Sequence, residues 1–305
     1  MGFISRLLGG GDDESPELAA RREADIARVE GGGIPLAAEE RIKQLAAGGT
    51  AFTSGLSVSD FALAKLDKVR PICQVMGSSV YKVGWQNYPW SGSWGDGSIT
   101  ELDQLTHAWN EARGLALGRL QQEAELAGCH AVVDVTFGGK RHDFLNDEIE
   151  ILVNGTAVHL PEGGDRAILT DLSLPDYTLL RRGGHRPVGI VARTSVFYIV
   201  PGSATRQATS GWQRFQPNQE LADFTAGVYA AREMALARVN EQANALGAGG
   251  LIGVQIEHDI GIREVDNGGK REDLIVTFHI LGTAIAPAGE HLELDPKTIL
   301  RQGAK

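Results

Sequence analysis

The chain has two cysteines and eight histidines, and their spacing sets what metal or redox chemistry they can do. Cys73 and Cys129 lie far apart and in no CxxC pattern, which excludes a disulfide framework and a cysteine-based zinc ribbon. Cys129 precedes His130 directly, so this pair either offers a soft and a borderline ligand to a transition metal or simply packs a turn, as free cysteines often do. His142 and His258 are each followed by an aspartate, and both dipeptides fall in or near the connection between two expected strands. A metal site would require cysteines, histidines and carboxylates that converge with coordination geometry, and the candidates are Cys73, Cys129, His130, His142 and His258. A transition metal is the one cofactor these residues suggest.

Aromatic residues offer a second kind of chemistry. The loop from Trp85 to Gly97 holds Trp85, Tyr88, Trp90 and Trp94 among glycines and serines, and Trp94 has a counterpart in Trp212. Such a cluster suits partner recognition, because aromatic side chains supply much of the energy at interface hot spots. The competing expectation is that Trp94 and Trp212 pack over a sheet. Enzymatic signatures are missing: the chain has no GxSxG, no GxxxxGK[ST], no GxGxxG after a strand and no HExxH. Glu101, Asp103, Glu111, Glu123 and Glu125 read as solvated helix faces. A non-enzymatic role is the expectation.

The bulk numbers narrow the setting. At 305 residues the chain suits two compact units plus tails, and 42% hydrophobic with 22% charged residues is ordinary for a folding chain. A formal charge of -10 argues against binding phosphate backbones, so nucleic acid is not an expected partner. No run approaches the roughly 20 apolar residues of a membrane span, and no signal-peptide pattern opens the chain. Arg6 stands where an N-myristoylation motif needs Ser or Thr. The expected home is the cytoplasm.

Positioning these residues falls to a repeated unit. Arg70-Pro71 and Ser79-Val80-Tyr81 match Arg186-Pro187 and Ser195-Val196-Phe197 at an offset of 116. The offset becomes 119 where Ala112, Arg113, Ala116, Leu117, Arg119, Ala124, Gly128 and Val135 match Ala231, Arg232, Ala235, Leu236, Arg238, Ala243, Gly247 and Val254. It becomes 127 where Gly155-Thr-Ala-Val158 matches Gly282-Thr-Ala-Ile285. Offsets that change only at loops point to duplication followed by insertions.

Each copy begins with an extended segment, Val75 to Val83 or Ile190 to Val200, and a Gly- and Trp-containing loop follows. A long helix is then predicted. Leu105, Trp109, Ala112, Ala116 and Leu120 share one face in the first copy, as do Phe224, Val228, Ala231, Ala235 and Val239 in the second. Gly128 and Gly247 are expected at the C-caps. Two strands close each unit: Ala131 to Phe137 and Glu148 to Val158, then Leu251 to Glu257 and Asp273 to Ile285. The fold class is α+β, two tandem β-α-β-β domains, each an antiparallel sheet with one long helix across it. Three strands and a helix make a small core, so burial of edges or faces against other copies is expected. The divisions are a flexible and helical N-terminal tether over 1–50, domains over 51–164 and 165–290, and a tail over 291–305. Within the tether, Ala38, Ile42 and Leu45 are spaced to dock a short helix on the first domain.

The helix and closing strands resemble the YbjQ-like family of small proteins, named for heavy-metal binding. The carrying residues are Ala112-Arg113, Gly128-Cys-His-Ala-Val-Val-Asp-Val135 and Gly155-Thr-Ala-Val158, with Ala231-Arg232, Gly247-Ala-Gly-Gly-Leu-Ile-Gly-Val254 and Gly282-Thr-Ala-Ile285 in the second copy. The similarity spans residues 51–160 and 167–287. It implies a dodecin-like fold, a homo-oligomeric ring, five chains being one arrangement, and metal binding. The family is typically one domain per chain, so the tandem arrangement departs from it. Protein partners are expected at the Trp-rich loop or the tether.

Overall fold

A computed structural model describes residues 15–47, 51–86, 88, 97–142, 147–209, 218–266 and 270–288. Among them the chain is mixed α+β, with two four-stranded sheets and seven helices. The helices are α1 (Pro16–Glu30), α2 (Leu36–Ala46), α3 (Val58–Leu66), α4 (Asp103–Leu126), α5 (Leu174–Arg182), α6 (Ser203–Thr209) and α7 (Ala222–Ala245). The strands are β1 (Arg70–Lys82), β2 (Ser98–Glu101), β3 (Ala131–His142), β4 (Glu148–His159), β5 (Ile168–Leu169), β6 (His185–Val200), β7 (Gly250–Asp266) and β8 (Lys270–Pro287).

The first sheet runs β1-β4-β3-β5 and the second β2-β6-β8-β7. In each, the strand before the long helix pairs antiparallel with the last strand, which pairs with the one between. The irregularities recur too. Register shifts fall between Pro71 and Cys73 and between Pro187 and Gly189. A second pair falls between Val133 and Thr136 and between Ile252 and Gln255, each containing a left-handed residue, Asp134 (φ 55°) or Gly253 (φ 64°). A bulge needs one residue that departs from extended geometry, and aspartate and glycine tolerate the left-handed region best.

The expected β-α-β-β order holds, with three differences. The strands run longer than the apolar alternation indicated. Gly128 (φ 64°) and Gly247 (φ 68°) sit one residue beyond the C-caps, Ala127 and Leu246, in the position that takes positive φ. The fourth strand of each sheet comes from across the expected boundary: β2 pairs with β6, and β5 pairs parallel with β3. Both are too short for periodicity to reveal them.

The helix α4 is buried on two sides. One stripe, the small Ala108, Ala112, Ala116 and Ala124 with Leu120, packs on the first sheet; Gly77 of β1 lets the helix backbone approach, since a Cβ there would lie 2.7 Å from Leu120 N. The opposite side faces the second sheet, whose Ala192, Val196, Tyr198 and Val200 join the same core. Ahead of these elements α2 docks as its spacing indicated, with Ile42 fully buried in that core. Arg119 of α4 fixes the entering chain by donating to Gly33 O (3.1 Å) and Val29 O (3.0 Å).

Candidate functional site

Where α4 meets the second sheet, a cavity of about 330 Å³ opens between the halves. Trp109, Phe137, Ile151 and Leu281 give it apolar walls, and Arg113, Glu257, Asp171 and His279 give it polar ones. Arg113 rides on α4 one turn after Trp109 and is 7% exposed. Its Nη2 lies 3.3 Å from His279 Nδ1, while Nη1 is buried and has no hydrogen-bond partner among the described residues. Burial, then the charge of Arg193, pulls the guanidinium down to about 10, with Glu257 opposing.

The geometry fixes the tautomer of His279. A guanidinium only donates, so Nδ1 must accept and the ring proton sits on Nε2. The Thr194 hydroxyl, 2.8 Å away, supplies a second donor to the same nitrogen. Burial and the neighbouring Arg113 charge hold the imidazole neutral, pushing it down to about 3. Trp109 stacks edge-on against the ring at 4.7 Å. Across the cavity, Asp171 hydrogen-bonds with the Thr283 hydroxyl, and burial pushes its carboxyl up. The cavity therefore presents one under-bonded buried cation beside an apolar wall and a group of carboxylates.

The metal-type residues are placed differently. Cys73 and Cys129 are buried in one core, where burial and then Cys73 push the Cys129 thiol up to about 12, far from the thiolate a metal binds. The His130 ring takes the Leu160 N–H on Nδ1 at 3.0 Å and lies tilted against His159 at 4.8 Å. His258 stands in the second sheet, stacked on Phe278 at 5.5 Å. The side chain of His142 lies outside the described residues. Among the described residues, no group of three or more His, Cys, Asp or Glu is arranged to hold a metal ion.

Of the aromatic set, Trp85 is 82% exposed. Tyr88 crosses to the second half, where its ring lies 5.4 Å from Tyr198 and 3.8 Å below the Arg263 guanidinium. Trp90, Trp94 and Trp212 lie outside the described residues. Arg113 and His279 were missed from sequence, although a signal existed: an arginine on an otherwise apolar helix face, following alanine at 112 and again at 231. Among the described residues, no helix is long and apolar enough to cross a membrane.

Comparison with known proteins adds a lineage. The YbjQ family, described as "Putative heavy-metal-binding", matches residues 97–161, which run from β2 through α4 to the end of β4. The Encapsulin nanocompartment protein Rv1762c of Mycobacterium tuberculosis is 31% identical over 261 residues, covering 82% of this chain and 91% of the relative. No solved structure matches. Identity at that level over 82% of the chain means that the chain belongs to the family of the mycobacterial Encapsulin nanocompartment protein Rv1762c and carries the YbjQ-type segment within it.

Proposed function

We propose that this chain is a tandem duplication of one β-α-β-β unit, that it works as a cytoplasmic, non-enzymatic assembly protein of a nanocompartment, and that it holds a small carboxylate ligand between its halves. The recurrence of strand order, bulge positions and left-handed residues supports the duplication. The relative's name supports the assembly role.

The observation that carries the ligand is Arg113, which lines the cavity and whose buried Nη1 has no hydrogen-bond partner among the described residues. A buried guanidinium nitrogen left without an acceptor costs about 1–3 kcal/mol, and a ligand carboxylate would offset that cost with a charge-assisted hydrogen bond. Thermal-shift measurements with hexanoate, benzoate and phenylacetate test it. At least one should stabilise the wild-type protein, and Arg113→Leu should abolish the shift; a wild-type chain indifferent to all three sinks the reading.

Metal binding is the second reading, favoured by the family's description. Elemental analysis of purified protein checks it: a stoichiometric transition metal would direct attention to Cys73, Cys129, His130, His142 and His258. Protein recognition by Trp85, Tyr88, Trp90, Trp94 and Trp212 is proposed for the outer loops, supported by the 82% exposure of Trp85. Pull-down with a chain lacking that loop would test it.

A further inference from the structure

Inside the chain, the first half is joined to the second by two reciprocal contacts. β2 adds to the edge of β6, and beyond it Leu102 N–H donates to Val196 O (2.8 Å) while Thr106 Oγ1 accepts from Val196 N–H (2.9 Å). Glu101 closes this contact with a two-point pair to Arg238, at 2.5 and 3.0 Å. In return, the segment leading into β6 reaches back. Thr170 N–H donates to Val132 O (3.0 Å), and Leu174 is buried at 1% exposure in a core with Val133, Val158 and Leu160 of the first half.

Several of these residues have counterparts that are exposed or only half-buried. At the offset of 119, Glu101-Leu102 and Thr106 correspond to Glu220-Leu221 and Thr225, and Arg238 corresponds to Arg119. At the offset of 116, Leu174 corresponds to Val58 and Val196 to Val80. Val58 is 89% exposed and Val80 69% exposed. β1 is an edge strand of its sheet. On α4, Leu105, Thr106, Trp109 and Arg113 are buried; on α7, Phe224, Thr225, Val228 and Arg232 are not. Arg119 rests on main-chain carbonyls where Arg238 has a carboxylate, and the Thr225 hydroxyl turns back to its own Glu220 at 2.9 Å.

We propose that the missing partner is a second copy of this chain, docked so that the contact within one chain is repeated between chains. The start of α7 and residues 218–221 of one chain lie on the open edge and outer face of β1 in the next. The segment around Val58 of that next chain packs back on the second sheet of the first. This inference rests on the duplication and assembly reading and names the surfaces that carry it. Because each chain offers two different surfaces, the contact is head-to-tail and closes into a ring when its rotation allows.

Native mass spectrometry of the full chain tests the arrangement with Val58→Glu on one surface and Tyr229→Glu on the other. Tyr229 is exposed and corresponds to Asn110, whose amide bonds Thr194 O (2.9 Å) at the internal contact. Both side chains are solvent-facing, so both variants should fold with the wild-type circular dichroism spectrum. Each alone should reduce a wild-type multimer to monomers. Mixed, they should form a one-to-one pair, since each retains the surface the other lacks. Leu18→Glu, on exposed α1, should assemble as wild type. Variants that stay multimeric, or monomers that do not pair on mixing, overturn this interface while leaving the assembly reading intact. A monomeric wild-type chain overturns both.

Discussion

At the scale of single residues, Arg113 and His279 define what the cavity asks of a ligand. Without one, Arg113 keeps a buried guanidinium nitrogen with no hydrogen-bond partner among the described residues. Arg113→Met should therefore stabilise the ligand-free chain, by roughly 1–3 kcal/mol in urea unfolding, as apolar replacement of buried charges does. A stabilising substitution that also abolishes ligand response would mark Arg113 as kept for binding and not for folding. His279 gives a pH signature. Its folded value, pushed down to about 3 from 6.5, means that between those values the unfolded chain binds a proton the folded chain refuses. Stability is thus complete above pH 6.5 and falls as the pH drops toward 3. The slope from this one group is at most about 1.4 kcal/mol per pH unit. Urea midpoints of wild type and His279→Gln, compared at about pH 7 and about pH 5, should show a flatter dependence for the variant.

At the scale of elements, two contacts hold the layers. The close approach of α4 to β1 depends on Gly77, where a Cβ would strike helix backbone that cannot rotate away. Gly77→Ala should lower stability by about 2 kcal/mol or more, read as a reduced thermal midpoint, because overpacking against backbone forces the helix off its sheet. On the second sheet, fully buried Asp273 accepts from the Tyr198 hydroxyl (2.5 Å) and is gripped twice by Arg271, at 2.6 and 2.7 Å. Asp273→Asn should cost roughly 3–5 kcal/mol, because it leaves a guanidinium beside a neutral amide in a dry site. Chemical denaturation would check the size of the loss.

At the scale of the whole molecule, the exchange of β2 and β5 makes the two halves one body. Each sheet takes its fourth strand from the other half's side of the expected boundary, so a cut near residue 165 would strip both sheets of an edge. Separately expressed halves should accordingly show lower thermal midpoints than the intact chain, and mixing them should recover part of the loss. The same exchange accounts for the asymmetry of the long helices. α4 lies between two sheets, whereas α7 has a sheet on one side and exposed Tyr229 and Met234 on the other.

The sequence by itself determined the β-α-β-β order, because the long helices, their glycine stops and the flanking strands all carry strong local periodicity. It also offered matching residues at constant offsets, Arg119 with Arg238 among them, from which the proposed duplication is argued. Only the tertiary structure decided what those residues touch. Two- and four-residue strands leave no periodic trace, so the exchange at β2 and β5 was invisible in the sequence. Arg113 reads as an ordinary helix arginine until a second sheet closes over it, for burial depends on residues more than 160 positions away at His279. Likewise Leu174 and Val58 are interchangeable apolar residues in the sequence, and packing alone buries one and exposes the other.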